Sequence, residues 1–302
     1  MTRRTFLKVL PCLVVNAALA GDMSNFGLQN QLANESESTL SPEEHNGRPV
    51  VKVIGIGVAT EEIICNLASS NEDSITSTLL LTNDRLLDAN DKIISGFLAR
   101  TNLVFLVAPV VEFQYNPIVT RLTEIAKAMG VFVIGAVVFP EQERDFLPIF
   151  TDIHPYNHPL LTAIHGGWNK GSAQDDVCTS ISVLSQCITI DQPGSIDLED
   201  IREILGNSRL VASHGSGCGV DRVKMAATEA ISGLAFQGAN LEFVDRGLIV
   251  VSAKREFLKQ SEVRLAISLV SEVVSTGTYL MLGTIYDQQA GDTLRISIFA
   301  SG

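Results

Sequence analysis

Three nearly unbroken apolar runs constrain this chain more than any other feature: VVKVIGIG at 50–57, LVFLVA at 103–108 and VFVIGAVV at 131–138. A strand with one wet face alternates apolar and polar residues. A strand that stays apolar throughout is covered on both sides, as in a parallel sheet flanked by helices. The first run closes on Gly57, and the last is stopped by Pro140. Helical spacing at 61–68 and 118–129, with a further strand at 79–82, makes strand and helix alternate. That order specifies a doubly wound parallel sheet with right-handed crossovers. Composition agrees: 46% of residues are apolar but only 6% aromatic, so the core is aliphatic.

Beyond Pro140 the order changes. Residues 150–171 are rich in Pro, Asn, His and Gly and read as loop. Helices are expected at 175–188, 198–205 and 222–232. A strand follows at 247–253, a helix at 262–274 and a strand at 279–286. DQQAGD at 287–292 reads as a hairpin turn into a last strand at 293–300. The folded body therefore divides into a parallel-sheet domain (49–172), a central helix and connecting loop (173–206), and a smaller α/β domain (207–302). The mixed sheet of that last domain is expected to be separate from the first sheet. With 302 residues, the chain is long enough for both.

The first twenty residues, MTRRTFLKVLPCLVVNAALA, stand apart from the folded body. Arg3 and Arg4 precede an uncharged stretch at 9–20 that ends in an A-x-A pattern at Ala18 and Ala20. Positive start, short apolar middle and small-residue exit describe a signal peptide, here of the twin-arginine kind, which implies a periplasmic protein. The alternatives are an uncleaved signal that tethers the chain to a membrane, or a cytoplasmic protein. A spanning helix needs about 20 apolar residues, so no integral membrane segment is expected once the signal is removed. Residues 21–48 are polar and read as a flexible leader. A formal charge of −12 argues against a nucleic-acid partner. Cys65, Cys178, Cys187 and Cys218 show no C-x-x-C spacing and are expected as free thiols.

Particular segments then point to a family. VKVIGIG at 51–57, the strand, loop and helix of 103–130 ending in EIAKAMG, GSIDLEDIREIL at 194–205, Arg222 with the AIS run that follows, and LGTIYDQQAGDTLRISIFASG at 282–302 occur in one order. This order and these sequences resemble FtsZ, the bacterial relative of tubulin, over roughly residues 49–302. The resemblance implies an FtsZ/tubulin-like fold, GTP and Mg as cofactors, and head-to-tail assembly of a homo-oligomer. The family's phosphate loop is G-G-G-T-G-T-G, whose glycines let backbone N–H groups approach the anion. Val111, Glu112, Phe113, Gln114, Tyr115, Asn116 and Pro117 stand there instead. Gly55 and Gly57 are remnants of the first glycine-rich turn, continued by Val58, Ala59, Thr60, Glu61 and Glu62. Each charge-assisted N–H bond to phosphate is worth about 1.5–3 kcal/mol. Losing three removes about 5–9 kcal/mol, or at least about three decades of affinity. No cofactor is therefore expected.

Asp197 and Asp200 fall where the family places acids that act on the neighbouring subunit's GTP, so the resemblance implies a catalytic role for them. The same residues serve equally as an N-cap and first-turn acid of the helix at 198–205. His154, His158 and His165 are clustered, but Pro155 and Pro159 prevent one helix from presenting them together, and no metal site is assigned. The leading expectation is an exported structural or binding module with weak or lost GTP binding that self-associates. The alternatives are a cell-division GTPase forming filaments, and another ligand or metal role in the rebuilt cleft.

Overall fold

The computed structural model describes residues 13–15, 48–69, 74–81, 91–109, 117–139, 160–164, 173–190, 194, 196–206 and 209–301. The described strands are β1 (Leu13–Val15), β2 (Val51–Ile56), β3 (Ser77–Leu81), β4 (Leu103–Pro109), β5 (Phe132–Phe139), β6 (Leu160–Ile164), β7 (Arg209–Gly217), β8 (Arg246–Ala253), β9 (Tyr279–Tyr286) and β10 (Leu294–Ser301). The described α-helices are α1 (Glu61–Ser69), α2 (Asp91–Leu98), α3 (Pro117–Ala128), α4 (Ala173–Thr189), α5 (Leu198–Leu205), α6 (Arg222–Phe236) and α7 (Gln260–Ser271).

The unbroken apolar runs have the expected cause. In β2, Val51 and Val53 point to one face, into a core shared with α1, α4 and α5. Ile54 and Ile56 point to the other, into a core shared with α2 and α3. Successive side chains alternate between faces, so helices on both sides demand apolar residues at every position. Lys52, the one charge in the run, lies over the Phe97 ring at 5.0 Å and donates to the carbonyls of Phe97 and Ala99 at the end of α2. Burial lowers its pKa to about 8.

Strand order is β1-β3-β2-β4-β5-β6-β7-β10-β8-β9. From β1 to β7 the pairing is parallel. The mixed half follows, with α6 and α7 covering its outer face around Ala226, Ala230 and Ala266. Both α/β parts are present as expected, but their sheets are joined rather than separate. Leu160, Leu161 and Thr162 of β6 pair in parallel with Arg209, Leu210 and Val211 of β7. The mixed half begins with β7, some forty residues before the first strand expected there. The expected hairpin also fails. β10 runs antiparallel between β7 and β8, while β9 lies outside β8 and parallel to it. DQQAGD does turn, with Gly291 at φ 61°, yet it carries the chain across β8 to a place two strands away.

Three residues of the expected export signal, Leu13–Val15, lie along the outer edge of β3. The rest of residues 1–47, the loop at 110–116 and His154, His158 and His165 lie outside the described residues. Among the described residues, no helix is long and apolar enough to cross a membrane.

Candidate functional site

In open parallel α/β sheets, ligands sit at the carboxyl ends of the strands. Here that end includes the turn from β2 into α1. Gly55 is required by packing: a Cβ there would come 2.5 Å from Ile64 Cγ1 and 2.6 Å from Thr60 Oγ1. Its absence lets α1 press against β2. Gly57 is required by geometry, because its φ of 84° is a left-handed value that favours glycine. Its N–H donates to the Leu81 carbonyl at 2.9 Å, tying the end of β2 to β3. Thr60, which is buried, returns its hydroxyl and its N–H to the Gly57 carbonyl at 2.9 and 3.1 Å. A single 3₁₀ turn, Val58–Thr60, therefore stands where a glycine loop is expected. Val58 projects into solvent, and Glu61 and Glu62 open α1 exposed. Acids at a helix N-terminus favour the helix dipole, and they repel an incoming anion.

The second candidate region lies between α4 and α5. Gly194 turns with φ 82° beside Thr284 of β9. Ile196 is buried and donates its N–H to the Cys187 carbonyl at 3.3 Å. Asp197 then caps α5. Its Oδ1 accepts from the Asp200 N–H at 2.8 Å, and Asp200 Oδ2 accepts from the Asp197 N–H at 3.1 Å. This reciprocal capping box accounts for both acids by local structure. Asp197 remains exposed and Asp200 partly so, so each can still meet another molecule.

The two regions do not meet. Helix α4 has 17 residues, a length of about 25 Å. Near its start Cys178 Sγ bonds the Ile63 carbonyl of α1 at 3.8 Å, and towards its end Cys187 lies beside Gly283 of β9. Gly55 and Gly57 therefore sit at one end of α4 and Asp197 and Asp200 at the other. Within one copy these residues cannot form a single site. Burial pushes the Cys178 and Cys187 thiols up to about 12, consistent with packing roles. No cluster of three or more metal-ligating side chains occurs among the described residues.

The mixed half holds two polar clusters with little sequence signal. Arg222, 7% exposed, forms a two-pronged ion pair with Glu262 at 2.7 and 2.8 Å and also donates to the carbonyls of Asp292 and Phe257. It joins α6, α7 and the turn before β10, and the guanidinium lowers the Glu262 pKa. His214 of β7 forms the second cluster, with Ser180 and Ser297. Its SHGSG context carries no motif.

A doubly wound parallel half, a long central helix and a mixed half define an FtsZ/tubulin-like fold. The comparisons agree. The chain is 26% identical to the cell division protein FtsZ of Pseudomonas putida over 230 residues, which is 69% of this chain and 57% of that protein. It thus spans just over half the length of that relative. An empty FtsZ dimer from M. jannaschii superposes with a TM-score of 0.68 at 16% identity, covering 87% of this chain and 93% of that one. CetZ2 from Haloferax volcanii, solved as a GTPgS-bound protofilament, gives 0.56 at 13% identity, covering 84% and 93%. No family model matches. The chain is thus similar in sequence to FtsZ and shares the FtsZ/tubulin-like fold, at low identity throughout.

Proposed function

We propose that this protein is a structural FtsZ-like module that associates head to tail with its own copies, binds GTP weakly or not at all, and is exported by residues 1–20. One observation carries the loss of nucleotide binding: the Gly57 N–H is bonded to the Leu81 carbonyl, and the helix that follows opens with Glu61 and Glu62. The donor a phosphate would need is engaged inside the protein, and the acids that open the following helix carry the wrong sign. Glu112, the missing glycines and Pro117, which opens α3 without an N–H, act in the same direction. Asp197 and Asp200 then serve α5 as caps rather than a reaction.

Self-association draws support from the titles of the structural neighbours, one a dimer and one a protofilament. It also fits the separation of the two candidate regions along α4, since only a second copy could bring them together. Head-to-tail contacts of this kind are heterologous and extend into filaments when the rotation does not close. Sedimentation velocity of the full chain tests the reading. Concentration-dependent assembly that is the same with and without GTP and magnesium supports it. Assembly only with GTP overturns it in favour of a second reading, a cell-division GTPase, which the Pseudomonas relative and the nucleotide-bound CetZ2 favour.

Export rests on the charge and spacing of residues 1–20, and the same stretch has a competing use as the edge strand Leu13–Val15. Cell fractionation of the Arg3→Lys, Arg4→Lys chain separates the two. Retention in the cytoplasm supports a twin-arginine signal, whereas unchanged export removes that part of the proposal.

A further inference from the structure

Helix α4 lies against the mixed half of the sheet through mostly aliphatic contacts, among them Ile181, Leu184, Leu210, Ala212 and Phe299. One imidazole interrupts them. His214 on β7 stands in register with Ser297 on β10. Its Nδ1 is 2.8 Å from Ser297 Oγ, and its Nε2 is 2.9 Å from Ser180 Oγ on α4. The backbone of Asp176, one helical turn before Ser180, also hydrogen-bonds the ring. A proton on Nε2 donating towards α4 leaves Nδ1 to accept from the Ser297 hydroxyl, so a neutral ring satisfies both sides. Ser180 and Ser297 are both buried, and the Phe299 ring stands edge-on at 6.0 Å.

We propose that His214 is an acid-sensitive latch: while neutral it pins α4 to β7 and β10, and when protonated it releases the helix from the mixed half of the sheet. The geometry makes charging costly. His214 is half-buried between α4 and β10, and desolvation lowers its pKa to about 4. The serine hydroxyls can turn to accept from a charged ring, so the penalty is burial of the charge rather than loss of the bonds. A ring freed into solvent would titrate near its ordinary value, about 6.5.

The ionisable groups around the ring do not rescue it. On α4, Asp176 is pushed up to about 6 by burial and by the neighbouring Asp175, so it is neutral in acid. Its carboxyl faces Gln237, an uncharged residue, at 3.4 Å. On β10, Arg295 lies one step beyond Ser297 on the same face, paired with Asp287 at 2.7 Å, and its charge opposes a second cation. On β7 the flanking residues of that face are Ala212 and Ser216. Because α4 runs into the loop that ends in Asp197 and Asp200, opening the latch would also shift those acids.

Hydrogen–deuterium exchange of residues 173–189 in the full chain, at pH 7.5 and pH 5.0 and corrected for intrinsic rates, tests the latch. Linkage between a latched His214 at about 4 and a released one at 6.5 favours opening about 30-fold at pH 5. Asp176, at about 6 when buried and near 3.8 when released, opposes this about tenfold. The native chain should therefore loosen only about threefold, Asp176→Asn about 30-fold, and His214→Gln should tighten. A flat response in Asp176→Asn, or an equal acid loosening in His214→Gln, overturns the latch. Should His214→Gln fail to fold, the Asp176→Asn profile alone decides. A rise in exchange that begins below about pH 6.5 supports the latch, and a flat profile removes it.

Discussion

The parallel and mixed halves of this sheet are held by different means. In the parallel half, α1 approaches β2 through the space that Gly55 leaves, and the cores on both faces are apolar. In the mixed half, two polar clusters join the elements: Arg222 with Glu262, and His214 with Ser180 and Ser297. An open parallel sheet usually spends its polar groups on a ligand at the carboxyl ends of the strands. In the described part of this one, the turn at that end is closed on itself, and the Arg222–Glu262 pair and the His214 cluster lie in the other half. The difference teaches that a glycine kept in a motif position need not be kept for the motif's ligand.

The sharpest test of this contrast is Glu262→Ala, which strands a buried guanidinium. It should cost about 3–5 kcal/mol in chemical denaturation, and a loss below about 1 kcal/mol would place the pair among weak surface bridges. Gly55→Ala should come next. Its Cβ would overlap Ile64 and Thr60, with an overpacking cost of about 1–3 kcal/mol. A neutral Gly55→Ala that weakened binding of a nucleotide would return that glycine to a ligand role.

Asp197→Ala should remove the capping box and cost about 0.5–2 kcal/mol by thermal unfolding. If Asp197→Ala left stability intact and abolished assembly, the acid would belong to an interface. The smallest effect is on pH dependence. The folded pKa of His214 is depressed, so the folded state binds fewer protons and stability falls as pH drops from about 6.5 towards 4. Asp176 is raised, so its contribution has the opposite sign and stability recovers as pH drops through about 6. Melting temperature should therefore vary little between pH 7 and 5, and Asp176→Asn should make it fall.

Much of the fold was legible because local signals coincide with tertiary ones. The helix Leu198–Leu205 and the strand Tyr279–Tyr286 were placed to the residue, the first by its capping acids and spacing, the second by its bounding turn residues. Strand β7 was missed because RLVASHGSG is half polar. Its His214 faces α4, and its glycines stand where α6 comes too close for a Cβ. Strand β6 is short and set in a loop-like stretch, so the join between the two halves could not be foreseen. The order β7-β10-β8-β9 is a property of pairing at long range, which turn residues do not encode. At the candidate site, the presence of Gly55 and Gly57 could be read, but their employment in packing and in a bond to Leu81 could not. The role of His214 left no trace in its neighbours along the chain.

The claim on which the proposed function depends is that the turn at Gly57 no longer serves a phosphate. Titration calorimetry of the full chain with GTP and magnesium, accompanied by a phosphate-release assay, measures it directly. The account predicts no heat of binding at micromolar nucleotide and no release above the protein-free rate. Micromolar binding with turnover that Asp200→Ala abolishes would contradict it and establish a GTPase.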